Sequence, residues 1–314
     1  MEINMDVSII VVNFNTMNLA LKCIYSIYEQ TSRYRFEVIL WDNASSDGSQ
    51  EAFLKIKNQY SELFLYLSDI NYGFAKANNL ATENARGRYI LLLNPDTEIL
   101  DGAIDKLVNF ADSCNDPYII GGSTFFSNGE RNTTSCWSKP TRWSLFSMGI
   151  GLASLFRKSW LFNPESFAWW SWTHIREVDI VTGCFMLIPK KCWEKLKGFD
   201  LDFFMYGEDA DLCFRAKEIG INSIIYPEAT IIHHEGQSEP IQADKIIRLF
   251  EAKQQLFRKH YSTRFSRYGK RMLYIYAFSR MVVTVALGFM SDRYRVKSKT
   301  WKEVYNRLRK KRAV

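Results

Sequence analysis

The residues best suited to chemistry lie between positions 183 and 234. Gly183-Cys184-Phe185-Met186 opens the stretch, Gly198-Phe199-Asp200 and Tyr206-Gly207-Glu208-Asp209-Ala210-Asp211-Leu212 follow, and His233-His234 closes it. With Asn94-Pro95-Asp96-Thr97, placed after the apolar run Tyr89 to Leu93, they offer a general base and ligands for a hard divalent ion. Glu208, Asp209 and Asp211 repel one another, which raises a pKa toward the range a general base needs. Acidic residues in a first helical turn are also favoured by the helix dipole in any protein, so the cluster alone reads either way. On a helix Glu208, Asp211 and Arg215 share a face, so Asp211 is expected to meet a structural Arg215 while Asp209 turns toward substrate.

The remaining candidates carry similar alternatives. Asp96 suits one carboxylate ligand of Mg²⁺ or Mn²⁺, ions that keep several non-protein ligands, and equally an N-cap for a helix near Asp101. Asp42 ends an apolar run and suits hydrogen bonding to a base or ribose, or a turn ahead of Ser45-Ser46-Asp47-Gly48. His233 and His234 end an Ile-rich strand, where alternation lets only one of them face the crevice.

These residues need a scaffold, and the chain supplies a regular one. Strands are expected at Ser8 to Phe14, Glu37 to Trp41, Leu63 to Leu67 and Tyr89 to Leu93, with helices between them, the pattern of a parallel sheet covered on both faces. Ligands bind such sheets beyond the carboxyl ends of the strands. Residues 127–178 show little periodicity and hold Trp137, Trp143, Trp160, Trp169, Trp170 and Trp172, six of the nine tryptophans. They read as an irregular region, either a small satellite core or an acceptor loop. Order returns with a strand over Ile180 to Ile188, helices over Lys190 to Leu196 and Gly207 to Ile219, and a strand over Ser223 to Ile232 interrupted at Pro227.

Charge divides the chain. Residues 244–314 hold 20 Lys and Arg against 4 Asp and Glu, a balance of +16 that leaves −9 for residues 1–243 of a chain whose net charge is +7. The expected domains are therefore 1–243, an α/β domain, and 244–314, a basic amphipathic helical tail. Met272 to Met290 is apolar but interrupted by Arg280. A helix lying in a membrane interface with Arg280 snorkelling is expected ahead of a buried core helix or a span. The start MEINMDVSIIVV reads as no signal peptide, and the scattered cysteines carry no zinc spacing. The expected location is cytoplasmic, peripheral on the inner face of the cell membrane.

Taken together, the motifs resemble glycosyltransferase family 2, inverting enzymes of GT-A fold, and most closely its bacterial rhamnosyltransferase-like branch. The matching pieces are Ser8 to Asn15, Asp42 to Ser49, Asn71-Tyr72-Gly73-Phe74 through Asn79, Asn94-Pro95-Asp96-Thr97, Gly183-Cys184, Gly198-Phe199-Asp200, Glu208 to Leu212 and His233-His234. They run in family order over about residues 7 to 236. The resemblance implies a Rossmann-like mixed, mostly parallel sheet with helices on both faces, here with a basic helical appendage. It implies nucleotide-sugar binding by Asn13, Asn15, Asp42, Asn43, Gly73, Asn78 and Asn94, a divalent cation (Mn²⁺ or Mg²⁺) held by Asp96 and His233, and Asp209 as catalytic base beside Glu208. Asn94 stands where the family's DxD motif has its first Asp, which makes Asp96 the safer metal ligand. The implied activity is transfer of a sugar, rhamnose from dTDP-L-rhamnose first, to a lipid-linked or other oligosaccharide acceptor; a UDP-hexose or UDP-N-acetylhexosamine donor is the alternative.

Other classes fit less well. A dinucleotide-dependent dehydrogenase needs a glycine-rich turn after its first strand, and Asn13 to Asn18 contains no glycine. A nucleotidyltransferase lacks its phosphate loop there for the same reason. A non-catalytic membrane-associated scaffold stays open as a different class. Nucleic acid is not an expected partner, because the tail mixes its charge with long apolar runs. The same tail suits pairing of subunits into a homo-oligomer.

Overall fold

The computed structural model describes residues 5–234 and 243–310. Met1 to Asn4 of the expected leaderless start, residues 235–242 at the expected domain boundary, and Lys311 and Arg312 of the terminal basic run lie outside the described residues. Residues 5–137 with 171–234 form one compact unit, and 138–170 with 243–310 form a second.

The chain begins as its periodicity predicts, with β1 (Val7–Asn13), α1 (Met17–Gln30), β2 (Phe36–Asn43), α2 (Ser49–Lys57), β3 (Leu63–Ser68), α3 (Gly73–Thr82) and β4 (Tyr89–Leu93). Next come β5 (Thr97–Leu100), α4 (Ala103–Ser113), β6 (Tyr118–Phe125), β7 (Arg131–Asn132) and β8 (Cys136–Trp137). Helices α5 (Arg142–Ile150) and α6 (Leu152–Leu155) belong to the second unit. The first unit resumes with β9 (Arg176–Val178), β10 (Ile180–Val181), β11 (Phe185–Pro189), α7 (Lys190–Leu196), α8 (Glu208–Glu218) and β12 (Asn222–His233). Helices α9 (Ala243–His260), α10 (Thr263–Gly288) and α11 (Asp292–Lys310) complete the second.

In the first unit the main sheet runs β3-β2-β1-β4-β11-β6-β12-β5, with β7 beside β6 and β9 beside β12. β3, β2, β1 and β4 are mutually parallel, as are β6 and β12, whereas β11 runs antiparallel to both β4 and β6. Every residue of β1 is buried, as a parallel strand covered on both faces must be. Ile9, Ile10, Leu40, Ile90, Leu91 and Phe185 are almost wholly withdrawn from water, each worth about 1.5–3 kcal/mol of apolar burial. The register pairs Asn13 with Asp42 and Val11 with Leu93, so three parallel strands end at one edge. That edge receives the polar residues.

Two local departures shape the edge. β12 pairs Tyr226 with Gly122 and then Thr230 with Ser123, so Pro227, Glu228 and Ala229 bulge out where Pro227 has no N–H to donate. Beyond the bulge β12 pairs with β5, bringing His233 opposite Thr97. The strand expected over Ile180 to Ile188 is broken: β10 pairs with β8, β11 begins only at Phe185, and Thr182-Gly183-Cys184 leaves the ladder.

The second unit is helical. Fully buried Phe257 sits with Leu145, Ile247, Phe250, Leu273 and Val304 in its core. The 127–178 region is more ordered than its composition predicts, since Thr141 and Ser144 cap α5 reciprocally. Within the Met272 to Met290 segment, Met272, Leu273 and Ala277 are buried, whereas Ile275, Phe278, Val282 and Val283 are exposed. Arg280 donates to Ser154 Oγ and lies over the Tyr276 ring. Among the described residues no helix is long and apolar enough to cross a membrane.

The bulge yields a stability prediction. A Cβ at Gly122 would fall 2.3 Å from the Ala229 carbonyl oxygen, so Gly122→Ala is expected to cost about 1–3 kcal/mol. An unchanged urea midpoint would refute the close approach.

Candidate active site

Asp96 and His233 meet at the sheet edge. β4 delivers Asn94-Pro95-Asp96, β12 returns antiparallel to β5, and His234 N–H donates to the Asp96 carbonyl at 2.8 Å. This clamp sets His233 Nε2 3.2 Å from Asp96 Oδ1 and 3.4 Å from Asn94 Nδ2. Asp96 and His233 are both buried. His234 faces elsewhere, its Nε2 2.8 Å from Glu98 Oε1 and its Nδ1 2.7 Å from Ser127 Oγ. Alternation along β12 thus selects His233 for the crevice.

Burial raises the Asp96 pKa, but hydrogen bonding and charge from His233 outweigh it and hold the carboxyl below its ordinary range. Burial likewise works against a charged His233, yet Cys184 and Asp96 push it up to about 11. A cation taking this pair would displace the imidazole proton. Two adjacent ligands on an ion with bonds of about 2.1 Å stand roughly 3 Å apart, and the oxygen and nitrogen here have that spacing. The mixed donor set suits Mn²⁺ or Mg²⁺ completed by diphosphate oxygens and water. Among the described residues no group of three His, Cys, Asp or Glu is arranged to hold a metal.

The acidic cluster sorts its three carboxylates into three environments. Gly207, at φ 88°, ends the preceding loop and starts α8. Asp211 is fully buried and accepts from Arg215 Nε at 2.7 Å, while the same guanidinium donates to the carbonyls of Leu196 (2.6 Å) and Gly198 (2.9 Å). Asp209 accepts from the N–H groups of Ala210 (2.7 Å) and Gly183 (3.4 Å). Glu208 is buried, and its Oε2 has no hydrogen-bond partner among the described residues. Burial, then the Asp209 charge, pushes Glu208 up to about 8; burial also raises Asp209.

The segment Gly183-Cys184 joins the two clusters. One residue donates to Asp209, and the next accepts the Asn94 N–H at 3.0 Å through its carbonyl. The Cys184 bond extends the β4–β11 register by one pair, and the Gly183 N–H lies in the break between β10 and β11.

The candidates for nucleotide binding interlock at the ends of β1 and β2. Asn13 Nδ2 donates to Asp42 Oδ1 at 2.9 Å, and Asp42 Oδ2 accepts from Ser45 N and Gln50 Nε2. Asn15, at φ 53°, accepts the Ser46 N–H at 2.7 Å. Asn43 donates to Asn71 Oδ1 and accepts from Tyr72 N, which fixes the turn into Gly73. Gly73 has φ 76°, and a Cβ there would strike the Phe204 carbonyl at 2.6 Å. Asn13, Asp42 and Asn43 are buried, so in this arrangement they brace the loops, whereas Asn15 is exposed.

Asn78 donates to the Phe74 carbonyl within its own helix at 2.9 Å. Its neighbour Asn79 does the bridging. Asn79 accepts from Phe199 N at 2.9 Å and donates to Phe199 O at 2.8 Å, fastening the Gly198-Phe199-Asp200 loop to α3. The signal in the sequence was two adjacent Asn in an otherwise apolar helix, which marks the place but not the partner.

The model of "Glycosyl transferase family 2" matches residues 8–171, more than half of the chain. The chain belongs to glycosyl transferase family 2. Among curated relatives, it is 26% identical over 246 residues to the O-antigen biosynthesis protein RfbC of Myxococcus xanthus, covering 76% of this chain and 18% of RfbC. It is 26% identical over 220 residues to the N-acetylglucosaminyl-diphospho-decaprenol L-rhamnosyltransferase of Mycobacterium tuberculosis, covering 64% of this chain and 67% of that protein. Among solved structures, the mannosyltransferase PcManGT from Pyrobaculum calidifontis, in complex with GDP-Man and Mn²⁺, superposes with a TM-score of 0.58 at 18% identity, covering 96% of this chain and 86% of that one. The fold is therefore the GT-A architecture of the family, with helices appended.

The bare Glu208 makes a pH prediction. Unfolded, it releases its proton near the ordinary 4.5; folded, it keeps the proton to about 8. Between those values the folded state binds more protons, so this residue makes stability fall as pH rises. Relative to the wild type, Glu208→Gln is expected to gain stability across that window by at least about 1 kcal/mol. Parallel stability–pH curves for the two proteins would refute the assignment.

Proposed function

We propose that this family 2 protein is an inverting transferase that moves L-rhamnose from dTDP-L-rhamnose to a hydroxyl of a lipid-linked oligosaccharide in surface-polysaccharide synthesis. The observation that carries the catalytic assignment is Asp209, held by the Gly183 N–H beside a protonated Glu208 and joined through Cys184 to the strand end bearing Asp96. The names of the mycobacterial and Myxococcus relatives support the sugar and the acceptor class.

Asp209 takes the proton from the acceptor hydroxyl as that oxygen attacks the anomeric carbon, and a single attack opposite the leaving group inverts configuration. Glu208, held protonated by burial, adds no second negative charge beside Asp209. Asp96 and His233 hold a divalent cation, which when bound neutralises the departing nucleotide diphosphate. Asn15, Gly73 and Asn94 take the donor side, with Asn13, Asp42 and Asn43 bracing the loops behind them. The first unit carries this chemistry. The basic second unit, with Phe289 and Met290 exposed, suits attachment to the inner face of the cell membrane, where lipid-linked acceptors lie.

The decisive experiment follows nucleotide diphosphate release from dTDP-rhamnose, UDP-glucose, UDP-galactose, UDP-N-acetylglucosamine and GDP-mannose, with and without Mn²⁺ or Mg²⁺. Release is expected from dTDP-rhamnose, abolished by chelation. Asp209→Asn is expected to cut kcat by roughly 10² to 10⁴ while leaving donor affinity nearly intact. Near-normal turnover in that variant would remove Asp209 from its role, and release from another donor alone would change the sugar.

A further inference from the structure

The second unit contains a cavity of about 440 Å³ lined by Arg142, Arg264, Arg267, Tyr268 and Arg271. No carboxylate lines it, and none of the four guanidinium groups is ion-paired among the described residues. Arg264, Arg267, Tyr268 and Arg271 recur at the spacing that stacks side chains on one helix face. Arg142 joins them from α5, where the Tyr268 hydroxyl donates to its carbonyl at 3.0 Å.

The arrangement is electrostatically unfavourable as it stands. Like charges three and four residues apart destabilise a helix. These three also occupy the opening turns of α10, which begins at Thr263 with Ser262 as its cap, where the helix dipole is already positive. A bound anion offsets both costs. Arginine suits phosphate in particular, because its planar fork donates two parallel hydrogen bonds.

The surroundings decide what carries the phosphate. Trp143 and Phe146, the next exposed residues of α5, lie with ring centroids 5.9 Å apart, and Trp143 Nε1 donates to the Leu161 carbonyl beside exposed Trp160. Exposed aromatics that follow a pocket arginine along one helix are costly in water and match the boundary between lipid head groups and acyl chains. The four arginines are exposed, as on a nucleic-acid surface, and it is the exposed apolar aromatics of the same helix α5 that favour a lipid.

We propose that this cavity is a binding site for a phosphodiester or diphosphate group carried by a lipid. The inference deepens, and for its choice of ligand rests on, the proposed transfer to lipid-linked acceptors.

The test is co-sedimentation of the full chain with vesicles of phosphatidylcholine alone or containing phosphatidylglycerol, repeated in the presence of inorganic diphosphate. Arg264→Gln/Arg267→Gln is compared with Lys299→Gln/Lys302→Gln, which removes equal charge from exposed positions of α11. The cavity variant is expected to lose roughly tenfold or more in affinity for the anionic vesicles, and the α11 variant much less. Inorganic diphosphate is expected to displace the wild type from those vesicles. Equal losses in the two variants would mean diffuse charge attraction and overturn the site. Diphosphate binding without vesicle binding would overturn the lipid source, as would tighter capture by a duplex oligonucleotide at the same ionic strength. Unchanged thermal melting in both variants excludes misfolding. Donor-nucleotide affinity, measured in parallel, separates failure of this site from failure of the transferase assignment.

Discussion

Two hydrogen bonds from one short peptide segment organise the catalytic edge. Gly183 gives its N–H to Asp209, and Cys184 accepts the Asn94 N–H, so the start of α8 and the end of β4 are referred to the same stretch of backbone. Backbone groups have fixed directions. The Asn94 bond extends the β4–β11 register by one pair beyond Leu93 and Phe185, and the Gly183 bond lies one residue further on, where the ladder has ended. The proposed base and the proposed cation ligands therefore share one frame of backbone.

The buried carboxylates of the first unit separate scaffold from chemistry. Glu37, almost fully buried, accepts from Ser8 Oγ, Arg86 N and Arg86 Nε. Asp211 has Arg215, whose remaining donors close the Leu196–Gly198 turn. Charges held for stability are satisfied in this way, since an unpaired buried charge is expensive. Glu208 breaks the pattern, and the residue next to it is the one assigned as base. The contrast within one unit is stronger support than any pKa shift taken alone, because the other acids show what this chain does when a carboxylate has only a structural task.

Much of this architecture was legible in the sequence where apolar runs are long and bounded. The first four strands, the start of α8 at Gly207 and the interruption at Pro227 all follow from local pattern, as does the opposition of Asp211 to Arg215 at helical spacing. Alternation also indicated that only one histidine of the pair would face inward. What local pattern missed depends on contacts distant in sequence. A run from Ile180 to Ile188 looks like one strand until its first residues pair with β8 and the Gly183 N–H turns to Asp209. Asn78 and Asn79 are indistinguishable by composition, and only the docking of Phe199 tells them apart. Residues 138–170 looked irregular because their apolar side chains are complemented by the C-terminal helices rather than by neighbours in the chain. Arg142 gave no hint of joining three arginines more than a hundred residues later.

The unpartnered Glu208 oxygen bears on how this protein evolves. Selection for robustness alone would discard a carboxylate in so dry a place, since almost any neutral replacement relieves its desolvation. Laboratory evolution under heat, without a demand for turnover, should therefore erode this position early while leaving Glu37 and Asp211 in place.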